Sequence, residues 1–163
     1  MISRLLVLLL LIPNLSLAKE PKPIKPKRIT LLEQIQRNNP ALPTQYAQAV
    51  EKSILKAAKQ YKVDPYKLSA ILAHESKYQL TAYNPKTKDY GISQINIRTI
   101  ENYHLSTGRL LLDLDYSVAA GAMVLADFQH MYAKAEKTNW WSHYNSSKPD
   151  KRTKYEALVK GYL

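Results

Sequence analysis

Glu75 is predicted to lie on the apolar face of a helix, where a carboxyl group can serve as an acid. Asp64-Pro65 marks the start of this helix, because an N-cap side chain precedes a proline suited to the first turn. Leu68, Ile71 and Leu72 lead to Glu75 with helical spacing. Burial and the negative end of the helix dipole both disfavour the carboxylate, so the pKa of Glu75 should be raised. A carboxyl group that stays protonated near neutral pH can protonate a glycosidic oxygen.

The alternative for Glu75 is an ordinary helix-end carboxylate that faces water or pairs with His74 or Lys77. A perturbed carboxyl group is only a statistical pointer to a functional site. However, a tight polar loop over residues 89–96, Asp-Tyr-Gly-Ile-Ser-Gln-Ile-Asn, begins fourteen residues after Glu75. A glutamate on the apolar face of a helix, followed by such a loop, indicates a protein that cleaves carbohydrate.

Four short motifs follow one another in the second half of the chain. Glu75-Ser76 precedes Gly91-Ile92-Ser93-Gln94, then an alanine-rich segment over residues 119–122, then Tyr144-Asn145. Glu-Ser and Tyr-Asn are common by chance, and the information lies in their order and spacing. With these motifs, residues 44–163 resemble the transglycosylase SLT domain of bacterial lytic transglycosylases, which are relatives of goose-type and other lysozymes.

This resemblance implies a mainly α, lysozyme-like helical domain with at most a small β-hairpin or irregular loop near the active site. It implies cleavage of the MurNAc-β-1,4-GlcNAc bond of peptidoglycan, with formation of a 1,6-anhydro-MurNAc end. By similarity, Glu75 is the general acid and then the base, and Ser76 orients the substrate or the glutamate. Gln94 binds sugar, Tyr144 hydrogen-bonds near Glu75, and Asn145 closes the last motif. Ser93 replaces the methionine of the usual Gly-Leu-Met-Gln loop, which affects details of sugar binding.

Asp89 leaves the second half of the reaction open. A retaining hydrolase needs a second carboxylate about 5 Å from the first, and an inverting hydrolase needs a wider gap that holds water. Asp89 is the candidate in the loop. The loop resembles that of animal-type lysozymes, in which the aspartate is the second catalytic group, but some secretion-associated lytic transglycosylases also carry an aspartate there. A lysozyme-like muramidase that uses Glu75 and Asp89 is therefore an alternative. A non-catalytic peptidoglycan-binding module is another.

Residues 1–18 are predicted to be a signal peptide. Arg4 precedes an apolar run from Leu5 to Ile12, and Ser16-Leu17-Ala18 offers a cleavage site after Ala18. The run is shorter than the about 20 apolar residues that span a bilayer, although an uncleaved anchor is the alternative. We therefore expect export to the periplasm or cell envelope, with no stable membrane span after cleavage.

Residues 19–43 are predicted to be a Lys/Pro-rich linker with a short helix, ahead of a domain over residues 44–163. The linker alternates proline with positive charge, which favours an extended tether. The whole chain carries a formal charge of +11, so a polyanionic partner is expected. Nucleic acid fits that charge, but export and the lack of a nucleic-acid-binding motif argue against it. Peptidoglycan strands, with carboxylates on their peptides, fit better.

The elements that must position the motifs are predicted to be helices. Helical periodicity or start signals appear over residues 30–38, 44–61 and 115–136, the last opened by Asp115, and a further helix follows Asp150. Gly121 in a helix interior costs up to about 1 kcal/mol relative to alanine, so close helix–helix contact is expected there. A small hairpin is predicted between Ala82 and Ser93.

The remaining expectations concern partners and cofactors. Trp140-Trp141 beside Tyr144 could stack on sugar or plug the core. The histidines have no metal-ligand spacing, so we expect no metal and no cofactor. The chain has no cysteine, which excludes a lipoprotein anchor and disulfides. By analogy with small exported proteins of this kind, we expect a monomer that serves an envelope secretion, conjugation or phage machine.

Overall fold

Seven α-helices and a small antiparallel sheet build the part of the chain that the computed structural model describes, residues 29–163. The predicted signal peptide and the first part of the Lys/Pro-rich linker lie outside the described residues. The domain is mainly α, as predicted. The helices are α1 Leu31–Asn38, α2 Thr44–Tyr61, α3 Pro65–Ser76, α4 Ile97–Asn102, α5 Thr107–Leu112, α6 Leu114–Tyr132 and α7 Pro149–Lys160, with a 3-10 turn over Trp140–Tyr144 between α6 and α7.

Local capping explains where α1 and α3 begin. Thr30 and Glu33 form a reciprocal capping box at the start of α1. The Asp64 side chain accepts hydrogen bonds from the backbone N–H groups of Tyr66 and Lys67, which confirms the predicted start of α3. The predicted bounds of α2 are also confirmed. Among residues 29–163, no helix is both long enough and apolar enough to cross a membrane.

The start of α6 differs from the prediction. The cap is Asp113, whose side chain accepts a hydrogen bond of 3.0 Å from the backbone N–H of Tyr116. Asp115 instead pairs with Lys56 of α2 at 2.6 Å and accepts a hydrogen bond from Ser53. The prediction that Asp115 opens the helix was therefore wrong, because two aspartates two residues apart offer the same capping chemistry and tertiary contacts choose between them.

The predicted hairpin is confirmed and extended by a third strand. The strands are β1 Tyr83–Asn84, β2 Asp89–Tyr90 and β3 Ile95–Asn96, in the antiparallel order β1-β2-β3. In the register, Tyr90 pairs with Tyr83 on one side and Ile95 on the other. A two-stranded hairpin alone is only marginally stable, and the third strand stabilises it. The sheet therefore holds the polar loop in one conformation.

The core lies between α2, α3 and α6, which pack against one another. The α2 stripe is confirmed, with Ala47, Val50 and Ile54 fully buried. Helix α1 packs against α2 and α3 and buries Leu31 and Ile35 in the same core. The packed unit thus includes the short helix that the sequence placed ahead of the domain.

The interior glycine of α6 makes a different contact from the one expected. A Cβ at Gly121 would lie 2.8 Å from the Cβ of Ser93 and 3.3 Å from the hydroxyl of Tyr144. The close approach is therefore between helix and loop, not between two helices. A larger residue at position 121 would push the polar loop away from α6.

A Gly91→Ala substitution should destabilise the protein by about 2–4 kcal/mol. Gly91 has a φ of +76°, and an added Cβ would overlap the carbonyl oxygen of Leu110 and the hydroxyl of Ser117. Both the left-handed backbone and the overlap with another backbone atom disfavour a side chain there. Urea denaturation measures the change in the free energy of unfolding.

Gly108→Ala is the matched control. This helical glycine has no neighbour nearer than the hydroxyl of Ser106, 3.9 Å from an added Cβ, so alanine should be neutral or stabilise by about 0.5 kcal/mol. Equal effects of the two substitutions would contradict the assigned role of Gly91.

Candidate active site

Glu75 occupies the last turn of α3. The helix ends at Ser76 because Lys77 adopts the left-handed conformation, with a φ of 55°. The carboxyl group lies in protein surroundings but keeps part of its surface on the cleft. Burial raises the pKa of Glu75 to about 7, and the hydroxyl of Tyr155 offsets part of this rise. The negative charge of Asp89 raises the pKa further. The predicted elevated pKa is thus a property of the folded site.

Tyr155 holds Glu75 in place, and sequence reasoning missed it. Its hydroxyl donates a hydrogen bond of 2.6 Å to Oε1 of Glu75 from the middle of α7. Burial, followed by the nearby negative charge of Glu75, raises the pKa of Tyr155 well above its usual range, so the hydroxyl keeps its proton. The rings of His74 and Tyr155 pack edge-to-face at a centroid distance of 5.1 Å. The available signal was the helical pair of Tyr155 and Val159, both buried on one face of α7.

A cleft of about 360 Å³ opens beside Glu75, a volume in the range of small-molecule sites. The structure brings five of the six predicted site residues to its lining, and these are Glu75, Asp89, Gln94, Tyr144 and Asn145. They come from α3, the sheet and loop, and the 3-10 turn with the residue after it. The cleft is therefore formed by distant parts of the sequence.

Ser76 is the predicted residue that does not line the cleft. Its buried hydroxyl donates a hydrogen bond of 2.7 Å to the carbonyl oxygen of Ile92 and also approaches the carbonyl of Leu72. Ser76 therefore binds the end of α3 to the polar loop. Among the described residues its hydrogen bonds go to these two carbonyl oxygens, and orientation of the substrate or the glutamate by Ser76 stays a prediction.

Gln94 has a structural function in the same loop. Its φ is +46°, and its side-chain amide donates hydrogen bonds to the carbonyl oxygens of Gly91 at 2.9 Å and Ala82 at 3.2 Å. These bonds close the loop on itself and fix the amide at the edge of the cleft. Sugar binding by Gln94 remains a prediction.

The serine that departs from the usual loop motif is buried but satisfied. Ser93 is fully buried, and its hydroxyl donates a hydrogen bond of 2.7 Å to the carbonyl oxygen of Ser117 in α6. The hydroxyl of Tyr144 donates to the carbonyl oxygen of Ser93 at 2.9 Å. The Tyr144 hydroxyl thus bonds to the loop near Glu75, where burial and then the charge of Glu75 raise the pKa of Tyr144 well above its usual range. The hydroxyl that bonds to Glu75 itself is that of Tyr155.

Asp89 is held by hydrogen bonds at the start of β2. Its Oδ1 accepts a bond of 2.8 Å from the side-chain amide of Asn96, and Oδ2 accepts a bond from the hydroxyl of Thr87. Asn96 also donates to the carbonyl of Thr87 at 2.7 Å. Both carboxylate oxygens therefore have hydrogen-bond partners within the sheet region. The effect of Asp89 on Glu75 is through its negative charge, which raises the pKa of Glu75.

The adjacent tryptophans belong to the core. Trp140 and Trp141 are 8% and 1% exposed, and the indole N–H of Trp141 donates to the carbonyl of Thr138 at 3.0 Å. Of the two roles left open by the sequence, the structure supports core packing. Trp141 also lies near Tyr155, with ring centroids 6.2 Å apart, and so supports the residue that holds Glu75.

A charged cluster fixes the start of α7. Arg152 contacts both carboxylate oxygens of Glu136 at 2.8 and 2.9 Å, and His143 contacts Glu136 at 3.0 Å. The His143 ring stacks on Tyr132, with centroids 3.7 Å apart. This cluster joins α6, the 3-10 turn and α7. It therefore determines where the side chains of α7 meet the cleft.

Comparison with known proteins gives one match. Residues 52–156 match the family model described as the transglycosylase SLT domain. No curated protein and no solved structure matches the chain. The matched range runs from α2 into α7 and includes Glu75, the polar loop, Tyr144 and Tyr155.

A Glu75→Gln substitution should change the pH dependence of stability. The folded-state pKa of about 7 exceeds the usual value of 4.5, so the folded protein binds the extra proton between these values and loses stability as pH rises through about 7. Glutamine is neutral throughout and can still accept from Tyr155. The free energy of unfolding of the variant, relative to wild type, should therefore rise by about 2–3 kcal/mol between pH 5 and pH 8. Urea denaturation across this range measures it.

Glu101→Gln, at an exposed position of α4, is the control and should follow wild type at every pH. If the free energy of unfolding of Glu75→Gln relative to wild type stays constant from pH 5 to pH 8, ionisation of the Glu75 carboxyl group does not destabilise the folded protein, contrary to this prediction.

Proposed function

The chain belongs to the transglycosylase SLT domain family, whose members cleave peptidoglycan, and we propose that it is a lytic transglycosylase acting on the MurNAc-β-1,4-GlcNAc bond. The observation that carries this proposal is the Glu75 carboxyl group, which lines a cleft and has a pKa raised to about 7. A group with this pKa is available both as an acid and, after proton transfer, as a base near neutral pH.

In the first step, Glu75 gives its proton to the glycosidic oxygen as the bond from that oxygen to C1 of MurNAc breaks. The acetamido group of the substrate stabilises the positive charge that develops at C1. Tyr155 donates to Oε1 of Glu75 and stabilises the carboxylate that is left. The GlcNAc-containing part of the strand departs with the transferred proton.

In the second step, the Glu75 carboxylate takes the proton of the MurNAc C6 hydroxyl while that oxygen bonds to C1. The product carries a 1,6-anhydro ring, and Glu75 is protonated again. An intramolecular nucleophile held in position can reach an effective molarity of roughly 10⁵ M, which exceeds that of water. No cofactor and no metal is required by this sequence of steps.

We propose further that the protein works outside the cytoplasm. The apolar run and cleavage site within residues 1–18 and the Lys/Pro-rich segment after it support export to the periplasm or envelope. There a monomer would reach peptidoglycan directly and serve a secretion, conjugation or phage machine. The positive charge of the chain suits the anionic wall.

A lysozyme-like muramidase is the second candidate, and one observation favours it. Asp89 lines the same cleft as Glu75 and its charge raises the pKa of Glu75. In a hydrolase, Asp89 would serve as the second carboxylate. The hydrogen bonds from Asn96 and Thr87 to both of its oxygens favour an electrostatic role over nucleophilic attack.

Mass spectrometry of products from purified peptidoglycan tests the proposal. The wild-type protein should release muropeptides with 1,6-anhydro ends, one water lighter than hydrolysis products. Glu75→Gln should reduce turnover by roughly 10²–10⁴-fold while the protein still binds the strands. Products with reducing ends alone would establish a hydrolase. Unchanged turnover of Glu75→Gln would reject Glu75 as the acid, whereas a wild-type protein that binds the strands and releases no product would be a non-catalytic wall-binding module.

Asp89→Asn separates the two enzyme mechanisms. In the transglycosylase, asparagine should reduce turnover less than about tenfold, because the residue affects Glu75 only through charge. Removal of that negative charge should also lower the pKa of Glu75, so the alkaline limb of the pH–rate profile should move to lower pH. Complete loss of turnover in a normally folded variant would favour the muramidase mechanism.

A further inference from the structure

Lys151 places a cation in the cleft that the proposed reaction does not use. It lies in the first turn of α7, lines the cleft and is exposed. Within the described part of the chain, its ammonium group forms no salt bridge, whereas Lys56 and Lys160 are paired with Asp115 and Glu156. The charge of Lys151 is therefore available to a bound molecule.

The neighbouring residue fixes the backbone of Lys151. Arg152 binds both carboxylate oxygens of Glu136, at 2.8 and 2.9 Å, and contacts His143 of the 3-10 turn. This pairing holds the first turn of α7 against the 3-10 turn that carries Tyr144. It also uses the charge of Arg152 within the protein. Lys151 thus extends a free charge from a backbone that is held in place.

The charges that line the cleft are distributed unevenly. Besides Glu75 of α3, the sheet region contributes Asp89, accompanied by the neutral side chains of Thr87 and Asn96, while α7 contributes Lys151. A carboxylate on a bound molecule would be repelled near Asp89 and attracted near Lys151. The cleft therefore favours a ligand that carries its negative charge on the side facing α7.

A peptidoglycan strand is such a ligand. Its glycan backbone is uncharged, and its carboxylates lie on peptides attached through the lactyl groups of alternate sugars. We propose that Lys151 binds a carboxylate of the stem peptide, so that the lactyl edge of the strand faces α7 and strands that carry peptides are preferred. The proposal rests on the proposed function, since it assigns the orientation of that substrate in the same cleft.

Lys151→Met tests the proposal, because methionine keeps much of the side-chain length and removes the charge. The purified variant and wild type are compared by kcat/KM on peptide-bearing strands and on the same strands with their carboxyl groups amidated. On peptide-bearing strands at low salt, the variant should be about fivefold slower, the range of an exposed ion pair. On amidated strands the two proteins should be equal. The difference should also shrink as salt is raised.

Two matched variants separate this contact from general attraction to a polyanion. Lys154→Met removes an exposed charge from the same helix at a position outside the cleft, and it should match wild type on every substrate. Lys151→Arg keeps the charge and should restore most of the rate. Equal losses in Lys151→Met and Lys154→Met would overturn the proposal in favour of general attraction.

Strands stripped of peptides by an amidase identify the carboxylate. These strands retain only the lactyl carboxylate, and Lys151→Met should cleave them as fast as wild type does. A fivefold loss on stripped strands, or on amidated ones, would overturn the assignment to the stem peptide. If wild type releases no product from any strand, the proposed function itself fails and this proposal fails with it.

Discussion

The desolvation of one carboxyl group is the constraint on which the site depends. Water would keep Glu75 ionised at neutral pH, and burial at the end of α3 raises its pKa to about 7. The hydrogen bond from Tyr155 opposes this rise but fixes the position of Oε1. The site therefore balances two demands. In the proposed reaction, the group must hold its proton for the first step, and its conjugate base must be stable enough for the second.

Most other features of the site keep that environment closed. Ser76 joins the end of α3 to the polar loop, and Ser93 joins the loop to α6. Gly91 and Gly121 allow the loop to approach α5 and α6 more closely than any side chain would permit. These contacts do not touch the Glu75 carboxyl group, yet they hold the loop that lines the cleft beside it. The buried hydroxyl groups of Ser76 and Ser93 donate hydrogen bonds to backbone carbonyl oxygens, so little free energy is lost when they are buried.

Sequence reasoning identified what depends on local signals. Asp64-Pro65 predicted the start of α3, and the apolar stripe predicted α2 over residues 44–61, because capping and periodicity act over a few residues. The bond from Tyr155 to Glu75 spans 80 positions and has no local signature. The choice of Asp113 over Asp115 as the α6 cap likewise depended on a partner in α2, Lys56. The fold class and five of the cleft residues were thus predictable, whereas the contacts that hold Glu75 were not.

Direct titration of the Glu75 side-chain carboxyl by NMR tests the central claim most sharply. Carbon-labelled glutamate allows each carboxyl signal to be followed with pH, and the signal absent from Glu75→Gln identifies the group. The account predicts a midpoint of about 7 in the wild-type protein. A midpoint near the usual value of 4.5 would contradict it, because Glu75 would then be ionised at neutral pH and would hold no proton to give.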